Sequence, residues 1–201
     1  MAVVKPFICI RPAKENAAKV AALPYDVYNR KEACAAVAGN PISFLNIDRA
    51  ETQFSDDVDT YADCVYEKAR ELLDTQIAEG VYVTDAGDHY YLYELTMDGR
   101  SQTGLVACAS IDEYENHVIK KHENTRAEKE ADRIRHVDVC SAQTGPIFLA
   151  CRYSQELLDL MEGWKASHEA VYDFVADDGI GHRAWVIDGE KEKAAIAQQF
   201  G

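Results

Sequence analysis

The sequence has little positive charge: 21 Lys and Arg stand against 35 Asp and Glu, giving a formal net charge of −14. Binding to a nucleic-acid backbone or an anionic membrane surface needs clustered cations. We therefore predict no nucleic-acid partner and no membrane partner. No run of about 18 apolar residues is present, and the first residues lack the charged start and apolar stretch of a secretory signal. A cytoplasmic location is expected.

Several short motifs are also missing. The six cysteines include no Cys-x-x-Cys pair, so no zinc site is encoded locally, and we interpret them as small buried residues of a reduced protein. Gly-x-Gly-x-x-Gly, Gly-x-Ser-x-Gly and His-Glu-x-x-His are absent as well. What remains is a globular composition, 47% hydrophobic and 28% charged.

The hydrophobic periodicity predicts strands paired through hairpins, with helices between them. Expected strands cover residues 3–10, 42–47, 90–96, 103–111, 146–151, 171–176 and 183–187. Expected helices cover residues 15–23, 31–38, 58–77 with Ser55 as N-cap, 155–161 and 190–200. Asp98-Gly99 and Asp178-Gly179 are predicted hairpin turns. We predict a single α+β domain over residues 1–201, with a mainly antiparallel mixed sheet and flanking helices.

The segment 116–136 is a cationic island in this acidic chain, with six basic residues, four acidic residues and three of the six histidines. Such an island fits an anion ligand. Thr125 and Glu128 have the spacing of a capping box, which predicts a helix from Arg126. The residues just before it, Lys120 to Asn124, would then lie at a helix N-terminus, where free N–H groups favour phosphate or carboxylate.

Further along this predicted helix, Arg126, Lys129 and Arg133 share one face at steps of three and four. Glu123 and Asp132 are candidates to hold Mg²⁺ or to orient the basic groups. The alternative is a solvated helix in which these charges only pair with one another.

A second candidate site is the stretch Leu-Pro-Tyr-Asp-Val at residues 23–27. Asp26 is an acid in a loop fixed by proline and flanked by apolar residues, which makes it a candidate general base. Arg11 is expected near it. The alternative is a turn in which Asp26 bonds its own backbone.

Several of these segments together resemble a bacterial and archaeal family catalogued as domain of unknown function 1015. The matching stretches occur in the family's order at residues 5–12, 22–27, 40–45, 99–104, 119–126, 132–133 and 145–148. The His-Glu-x-Thr block at residues 122–125 is the most specific of them.

The resemblance implies a function. The family is distantly similar to the ParB/sulfiredoxin-like group, which includes free serine kinases, and some of its members are linked to phosphorylation of free serine by pyrophosphate or ATP. On this hypothesis Asp26 and Glu123 are catalytic, with Asp26 taking the serine hydroxyl proton, and Glu123 and Asp132 hold Mg²⁺. The implied phosphate-binding residues are Lys120, Lys121, His122, Thr125, Arg126 and Arg133. The implied substrate-binding residues are Arg11, Tyr25 and Ser43.

One departure from the family concerns the end of the chain. Full-length members are longer and carry a Gly-His-His-Arg box, which residues 181–183 match without the second histidine. We therefore expect this chain to be the N-terminal portion of a longer protein, with the C-terminal half as a partner and with no activity alone if that box completes the site. The chain also finishes on a helical pattern, which fits a cut inside a longer protein or a helix packed at a domain edge.

Four classes of function stay open at this point. The first is a phosphotransferase acting on a small hydroxyl compound. The second is a non-catalytic phosphate- or nucleotide-binding module. The third, a nucleic-acid binder, conflicts with the net charge of −14. The fourth is a structural domain whose basic helix docks the missing half.

Overall fold

The structure is a computed structural model that describes residues 2–121 and 124–200. The strands, in chain order, are β1 (Val4–Lys5), β2 (Ile10–Pro12), β3 (Tyr82–Thr84), β4 (Tyr90–Met97), β5 (Arg100–Val106), β6 (Cys108–Ala109), β7 (Tyr172–Val175) and β8 (Gly181–Ile187). The α-helices are α1 (Ala17–Val20), α2 (Arg30–Val37), α3 (Leu45–Asp48), α4 (Asp63–Ala78), α5 (Ile111–Glu115), α6 (Ala127–Cys140), α7 (Gln155–Ser167) and α8 (Glu190–Phe200). Short 3-10 turns cover Lys14–Asn16, Tyr25–Val27 and Ala50–Gln53.

The contacts divide the chain into two compact units, each of which is assembled from separate stretches of sequence. Unit 1 consists of the described residues within 1–14, 84–123 and 150–201. Unit 2 consists of residues 15–83 and 124–149. The predicted α+β fold class is confirmed, and the strand pairs in the sheets are antiparallel.

Unit 1 is built on a four-stranded antiparallel sheet with strand order β5-β4-β8-β7. Tyr90 of β4 is in register with Ile187 of β8, and Tyr91 is in register with Val106 of β5. Asp98 and Gly99 join β4 to β5 with φ angles of 52° and 75°. Both angles are positive, as a two-residue hairpin turn requires, so this predicted hairpin is confirmed. The second predicted hairpin, between β7 and β8, is also present.

The core of unit 1 lies between this sheet and two helices. Trp185, Tyr90 and Leu92 project from the sheet and are almost fully buried. Trp164 of α7 and Ile196 of α8 pack against them. Alternate residues of β4 therefore face the apolar stripes of the two helices, which is the usual way to bury one face of a sheet.

Unit 2 is mostly helical, and α4 forms its centre. Val65, Ala69 and Leu73 form the buried stripe of this helix, packed with Ile47 of α3 and Cys140 of α6. The spacing of these α4 residues by four is the helical pattern that the sequence shows. The central helix was therefore predicted correctly in its body.

The start of α4 differs from the prediction. The helix begins at Asp63 rather than just after Ser55. Arg30 explains the delay, because its guanidinium donates to the backbone carbonyls of Ser55 at 2.7 Å and Val58 at 2.6 Å. Carbonyls held by this side chain keep residues 55–61 in turns.

The predicted strand 42–47 is wrong, because this segment leads into helix α3. The Asn46 side chain donates to the carbonyls of Asn40 at 3.0 Å and Ser43 at 3.2 Å, which closes a local turn. Short apolar runs do not distinguish a strand from a buried helical turn.

The predicted strand 146–151 is also wrong. Residues 146–150 have no regular structure, and the side chains of Ile147 and Phe148 are exposed. The predicted strand 3–10 is interrupted: β1 and β2 are its ends, and a single antiparallel bridge joins Phe7 to His89 between them. Across residues 2–121 and 124–200, no helix has the length and apolar character to cross a bilayer.

Candidate functional site

A polar cavity of about 160 Å³ lies within unit 2. It is enclosed by the Tyr25–Val27 turn and the residue after it, the end of α3, the Ala50–Gln53 turn, α4 and α6. Three carboxylates and three cations line it: Asp48, Glu51, Asp132, Arg49, Lys129 and Arg133. Charged groups of both signs around one small volume can bind a small polar molecule in a fixed orientation.

Helix α6 contributes one face to this cavity. Lys129, Asp132, Arg133 and His136 all line it. Their spacing of three, one and three residues places them on the same side of a helix. Lys129 and Arg133 therefore share a face as predicted, whereas Arg126, the third residue of that prediction, precedes the helix and does not line the cavity.

Arg133 is held in place by three partners. Its Nη2 and Nε atoms lie 3.1 and 3.2 Å from Asp132 Oδ2. Its guanidinium carbon lies 4.1 Å from the centre of the Tyr25 ring. Its Nη1 atom lies 3.7 Å from Asp48 Oδ1, which is an ion-pair distance but too long for a hydrogen bond.

Asp48 has an unsatisfied oxygen. In the described part of the chain, its Oδ1 atom is buried and accepts no hydrogen bond. Burial raises the pKa of the Asp48 carboxyl, against the opposing effects of the His136 and Arg133 charges and of a hydrogen bond with Thr144. A buried polar atom without a partner is rare in native proteins, so this oxygen is available to a donor on a ligand.

Substitution of Asp48 by asparagine is expected to leave the melting temperature unchanged or to raise it. Folding raises the pKa of this carboxyl, so the folded protein becomes more stable as the pH falls towards that pKa. At neutral pH the ionised carboxylate therefore lowers the free energy of unfolding. Asparagine removes this cost. Calorimetry at neutral pH on the wild type, Asp48→Asn and the control Asp74→Asn, whose ion pair with Arg70 is exposed, tests this. A clear drop for Asp48→Asn alone would show that Asp48 mainly stabilises the fold.

Arg49 fixes the loop beside the cavity. Its Nη1 atom donates to the carbonyls of Tyr25 at 2.9 Å and Tyr28 at 2.6 Å. Its Nε atom lies 2.5 Å from Oε1 of Glu51, whose side chain is 3% exposed. This buried ion pair therefore positions Tyr25 and the loop that carries Asp26.

Two further side chains orient groups in the cavity wall. The Tyr66 hydroxyl donates to Asp132 Oδ1 at 2.7 Å, and burial, followed by this carboxylate, raises the pKa of Tyr66. The His136 Nε2 atom lies 3.0 Å from the carbonyl of Ile47, so this nitrogen is the donor. Both contacts restrict the motion of α6 side chains.

Of the two predicted magnesium ligands, Asp132 is the one that the structure describes. Both oxygens of Asp132 already contact donors, Tyr66 on one side and Arg133 on the other. Among residues 2–121 and 124–200, no group of three or more His, Cys, Asp and Glu side chains could hold a metal. Glu123, the other predicted ligand, lies outside the described residues.

The structure brings three of the predicted site residues to one cavity: Tyr25, Asp132 and Arg133. Asp26 follows Tyr25 in the same 3-10 turn, and its side chain is exposed. Ser43 is buried, 5% exposed, and does not belong to the cavity wall.

The predicted phosphate-binding residues before α6 lie at the surface where they are described. Helix α6 begins at Ala127 with Arg126 as N-cap and without a side-chain cap bond, so the predicted capping box of Thr125 is wrong. The Arg126 guanidinium, 77% exposed, pairs with Glu128 at 2.8 Å instead. His122 lies outside the described residues.

Lys120, Lys121 and Arg11 belong to unit 1. Both lysines are exposed. Arg11 already has partners in this unit, because its Nε atom lies 3.0 Å from both oxygens of Asp85 and its Nη1 atom donates to the Tyr172 hydroxyl at 3.1 Å. This pairing gives Arg11 a structural role in unit 1.

The sequence reasoning missed Asp48, Arg49 and Glu51 as members of the site. One signal was available, since two adjacent charged residues, Asp48 and Arg49, follow directly on the apolar run that ends at Ile47. Buried charges at the end of an apolar segment are unusual unless they are paired or functional.

The structure is thus an α+β fold with a small polar cavity in its helical unit. The chain belongs to the family described as Protein of unknown function (DUF1015), whose family model matches residues 4–201. No curated protein matches it significantly, and no solved structure does.

Proposed function

We propose that this protein is a phosphotransferase that moves a phosphoryl group from pyrophosphate or ATP to the hydroxyl of a small substrate, with free L-serine as the candidate. The observation that carries the proposal is the unit 2 cavity, where an unpartnered carboxylate oxygen of Asp48 and the cations Lys129 and Arg133 line one small volume. Such a site fits a compact molecule that bears several polar groups.

The size of the cavity favours a small substrate. Its volume is about 160 Å³. Sites for drug-sized ligands are larger, roughly 300 Å³ or more. The substrate therefore occupies the cavity in this proposal, and a nucleotide or pyrophosphate donor binds outside it.

Phosphoryl transfer asks for positioning and charge neutralisation more than for covalent chemistry by the protein. In the proposed reaction Asp26 takes the hydroxyl proton and the substrate oxygen forms a bond to the terminal phosphorus of the donor. The bond from that phosphorus to its bridging oxygen breaks, which releases phosphate from pyrophosphate or ADP from ATP. Cations close to the transferred group stabilise the developing negative charge.

The donor phosphates are assigned to the basic residues around the start of α6. Thr125 and Arg126 in unit 2 carry this assignment, together with Arg133 further along helix α6. Lys120 and Lys121 belong to unit 1 and stay phosphate-binding candidates through the family resemblance alone. His122 and Glu123 remain part of this proposal through the family resemblance. Mg²⁺ enters only as an ion carried by the donor phosphates, and no step is routed through it.

The state of the thiols fits a reducing compartment. All six cysteines are free, but only Cys140 is buried and Cys64, Cys108 and Cys151 are exposed, so the interpretation of all six as buried residues is wrong. Burial raises the pKa of the Cys140 thiol to about 11, so this thiol stays protonated and unreactive at neutral pH. We place the reaction in a reducing cytoplasm. The C-terminal half that the family resemblance implies is the proposed protein partner.

A second function is a phosphate- or nucleotide-binding module without catalysis. One observation favours it: the Asp26 side chain is exposed and does not line the cavity. A carboxylate outside the cavity does not contact a substrate bound inside it. This module would keep the ligand site and lack turnover.

Phosphorylation of L-serine is the direct test. We expect the natural gene product that contains this chain to form phosphoserine with pyrophosphate or ATP in the presence of Mg²⁺, as followed by phosphorus NMR. Asp26→Asn should lower kcat by about 100-fold or more, because a positioned general base contributes that much, while KM for L-serine changes little.

Asp74→Asn is the matched control, since this exposed carboxylate pairs with Arg70 on α4 and has no place in the proposed chemistry. Its activity should equal that of the wild type. Absence of turnover with both donors, while L-serine or pyrophosphate still binds, would reject the phosphotransferase and select the binding module. Full activity in Asp26→Asn would remove Asp26 as the base.

A further inference from the structure

We propose that Asp48 and Lys129 are the two specificity-determining residues of the cavity, and that they select a zwitterionic substrate. In this arrangement Asp48 binds the substrate ammonium group and Lys129 binds its carboxylate. The inference deepens the proposed function and rests on it for the reaction at the hydroxyl, but the binding preference can be measured without any turnover.

The first step concerns the partners of Asp48. Its buried Oδ1 atom accepts no hydrogen bond from the described residues. Arg133, the cation that lies within ion-pair distance of Asp48 among the described residues, stays 3.7 Å away. Its Nε and Nη2 atoms contact Asp132, and its guanidinium lies over the Tyr25 ring. Arg133 could donate to this oxygen only if its side chain rotated, and that rotation would break its contacts with Asp132 and Tyr25.

The second step concerns the kind of donor that fits. An ionised carboxylate accepts hydrogen bonds and donates none, and an ammonium group offers three donors together with a positive charge. Charge-assisted hydrogen bonds of this kind are about twice as strong as neutral ones. The cost of burying Asp48 is then offset when the substrate arrives, so the pocket is selective for a cationic group at this position.

The third step concerns the opposite charge. Among the described residues, no carboxylate lies within ion-pair distance of Lys129. Of the other two cations of the cavity, Arg49 has one such carboxylate and Arg133 has two. Lys129 is half-buried and lines the cavity. Its ammonium is a compact point charge on a flexible stem, which suits a small carboxylate.

The test compares three ligands that share one hydroxyl group. L-Serine has both charges, 3-hydroxypropionate lacks the ammonium group, and ethanolamine lacks the carboxylate. Isothermal titration calorimetry on the natural gene product should show that L-serine binds at least about tenfold more tightly than either analogue, which corresponds to about 1.4 kcal/mol for each lost pole.

Two variants assign each pole to its residue. Asp48→Asn should remove the preference for L-serine over 3-hydroxypropionate and keep the preference over ethanolamine. Lys129→Met should do the reverse. If one of these residues only stabilised the fold, its substitution would lower the affinity for all three compounds equally. If Asp48→Asn does not fold, the affinities of Lys129→Met for L-serine and the two analogues still test whether the cavity selects a zwitterion.

The outcomes separate the two proposals. Equal affinity of the wild type for the three ligands, no binding of any of them, or an unchanged preference in Asp48→Asn overturns the inference. Zwitterion selectivity without phosphoserine formation supports the inference and rejects the phosphotransferase. Phosphoserine formation with an unchanged preference in both variants keeps the phosphotransferase and rejects these two residues as its selectors.

Discussion

Substitution of Arg49 by methionine is expected to lower the free energy of unfolding by about 3 to 5 kcal/mol, the usual cost of stranding one member of a buried ion pair. Glu51, whose side chain is 3% exposed, would be left with a carboxylate that has lost its counter-ion at 2.5 Å. The carbonyls of Tyr25 and Tyr28 would lose their donor as well.

The same change should reach the site. Arg49 ties the backbone of the Tyr25–Val27 turn to the end of α3, so we expect its loss to loosen the turn that carries Tyr25 and Asp26. A lysine at position 49 keeps the charge but cannot donate to two carbonyls and a carboxylate in a planar fork. We expect Arg49→Lys to be intermediate in stability and L-serine binding.

Urea denaturation followed by helical circular dichroism measures this effect. Lys68→Met is the control, because that lysine pairs with the exposed Glu71 and such pairs contribute about 1 kcal/mol or less. The double variant Arg49→Met/Glu51→Gln should recover about 2 kcal/mol relative to Arg49→Met, since no buried charge remains unpaired. A double variant no more stable than the single one would contradict the ion-pair argument.

The elements that could be predicted from sequence are those fixed by local chemistry. Asp98-Gly99 forms its hairpin because both residues adopt positive φ, and the α4 stripe and the α8 range follow from spacing alone. The start of α4 could not be predicted, because Arg30 holds the carbonyls of Ser55 and Val58 from a distant position in the chain. Side-chain contacts of this range leave no periodic signal.

Some residues of the candidate site could likewise be predicted from the sequence and others could not. Arg133 and Lys129 could be predicted to share a helix face from their spacing of four residues. Tyr25 was implied as a site residue by the family resemblance. Asp48 could not be assigned, since its significance depends on burial and on a missing donor, both of which are tertiary properties. For Arg11, the family resemblance implied substrate binding, and the structure shows contacts with Asp85 and Tyr172 within the sheet unit.

Lys165→Met is expected to destabilise unit 1 by about 3 kcal/mol, the low end of the cost of breaking a buried pair. The Lys165 Nζ atom lies 2.8 Å from Oε2 of Glu94, whose side chain is 8% exposed. The cost stays at the low end because Thr103 still donates to the same oxygen at 2.8 Å, and Arg183 remains 3.5 Å from the other.

The pH dependence of the same pair gives an independent check. Burial pushes the pKa of Glu94 up, but the hydrogen bonds from Lys165 and Thr103 and the charges of Lys165 and Arg183 outweigh it, so the pKa lies below its ordinary value. A carboxyl with a lowered pKa stabilises the fold above its unfolded-state pKa of about 4.3, and this contribution is lost as the pH falls through the folded-state pKa. The difference in stability between the wild type and Glu94→Gln should therefore be largest near neutral pH and should shrink in acid.

Tryptophan fluorescence makes this measurement specific to unit 1. The chain has two tryptophans, Trp164 and Trp185, both in this unit, and Lys165 Nζ lies 5.8 Å from the centre of the Trp185 ring. In urea titrations at neutral pH, Lys165→Met and Glu94→Gln should both lower the free energy of unfolding of unit 1. The titrations are then repeated across a pH series. Lys68→Met, which breaks an exposed pair with Glu71 in unit 2, should leave the fluorescence transition in place. A gap between the wild type and Glu94→Gln that stays constant down to strongly acid pH would mean that Glu94 stabilises the sheet by packing and hydrogen bonding rather than by its charge.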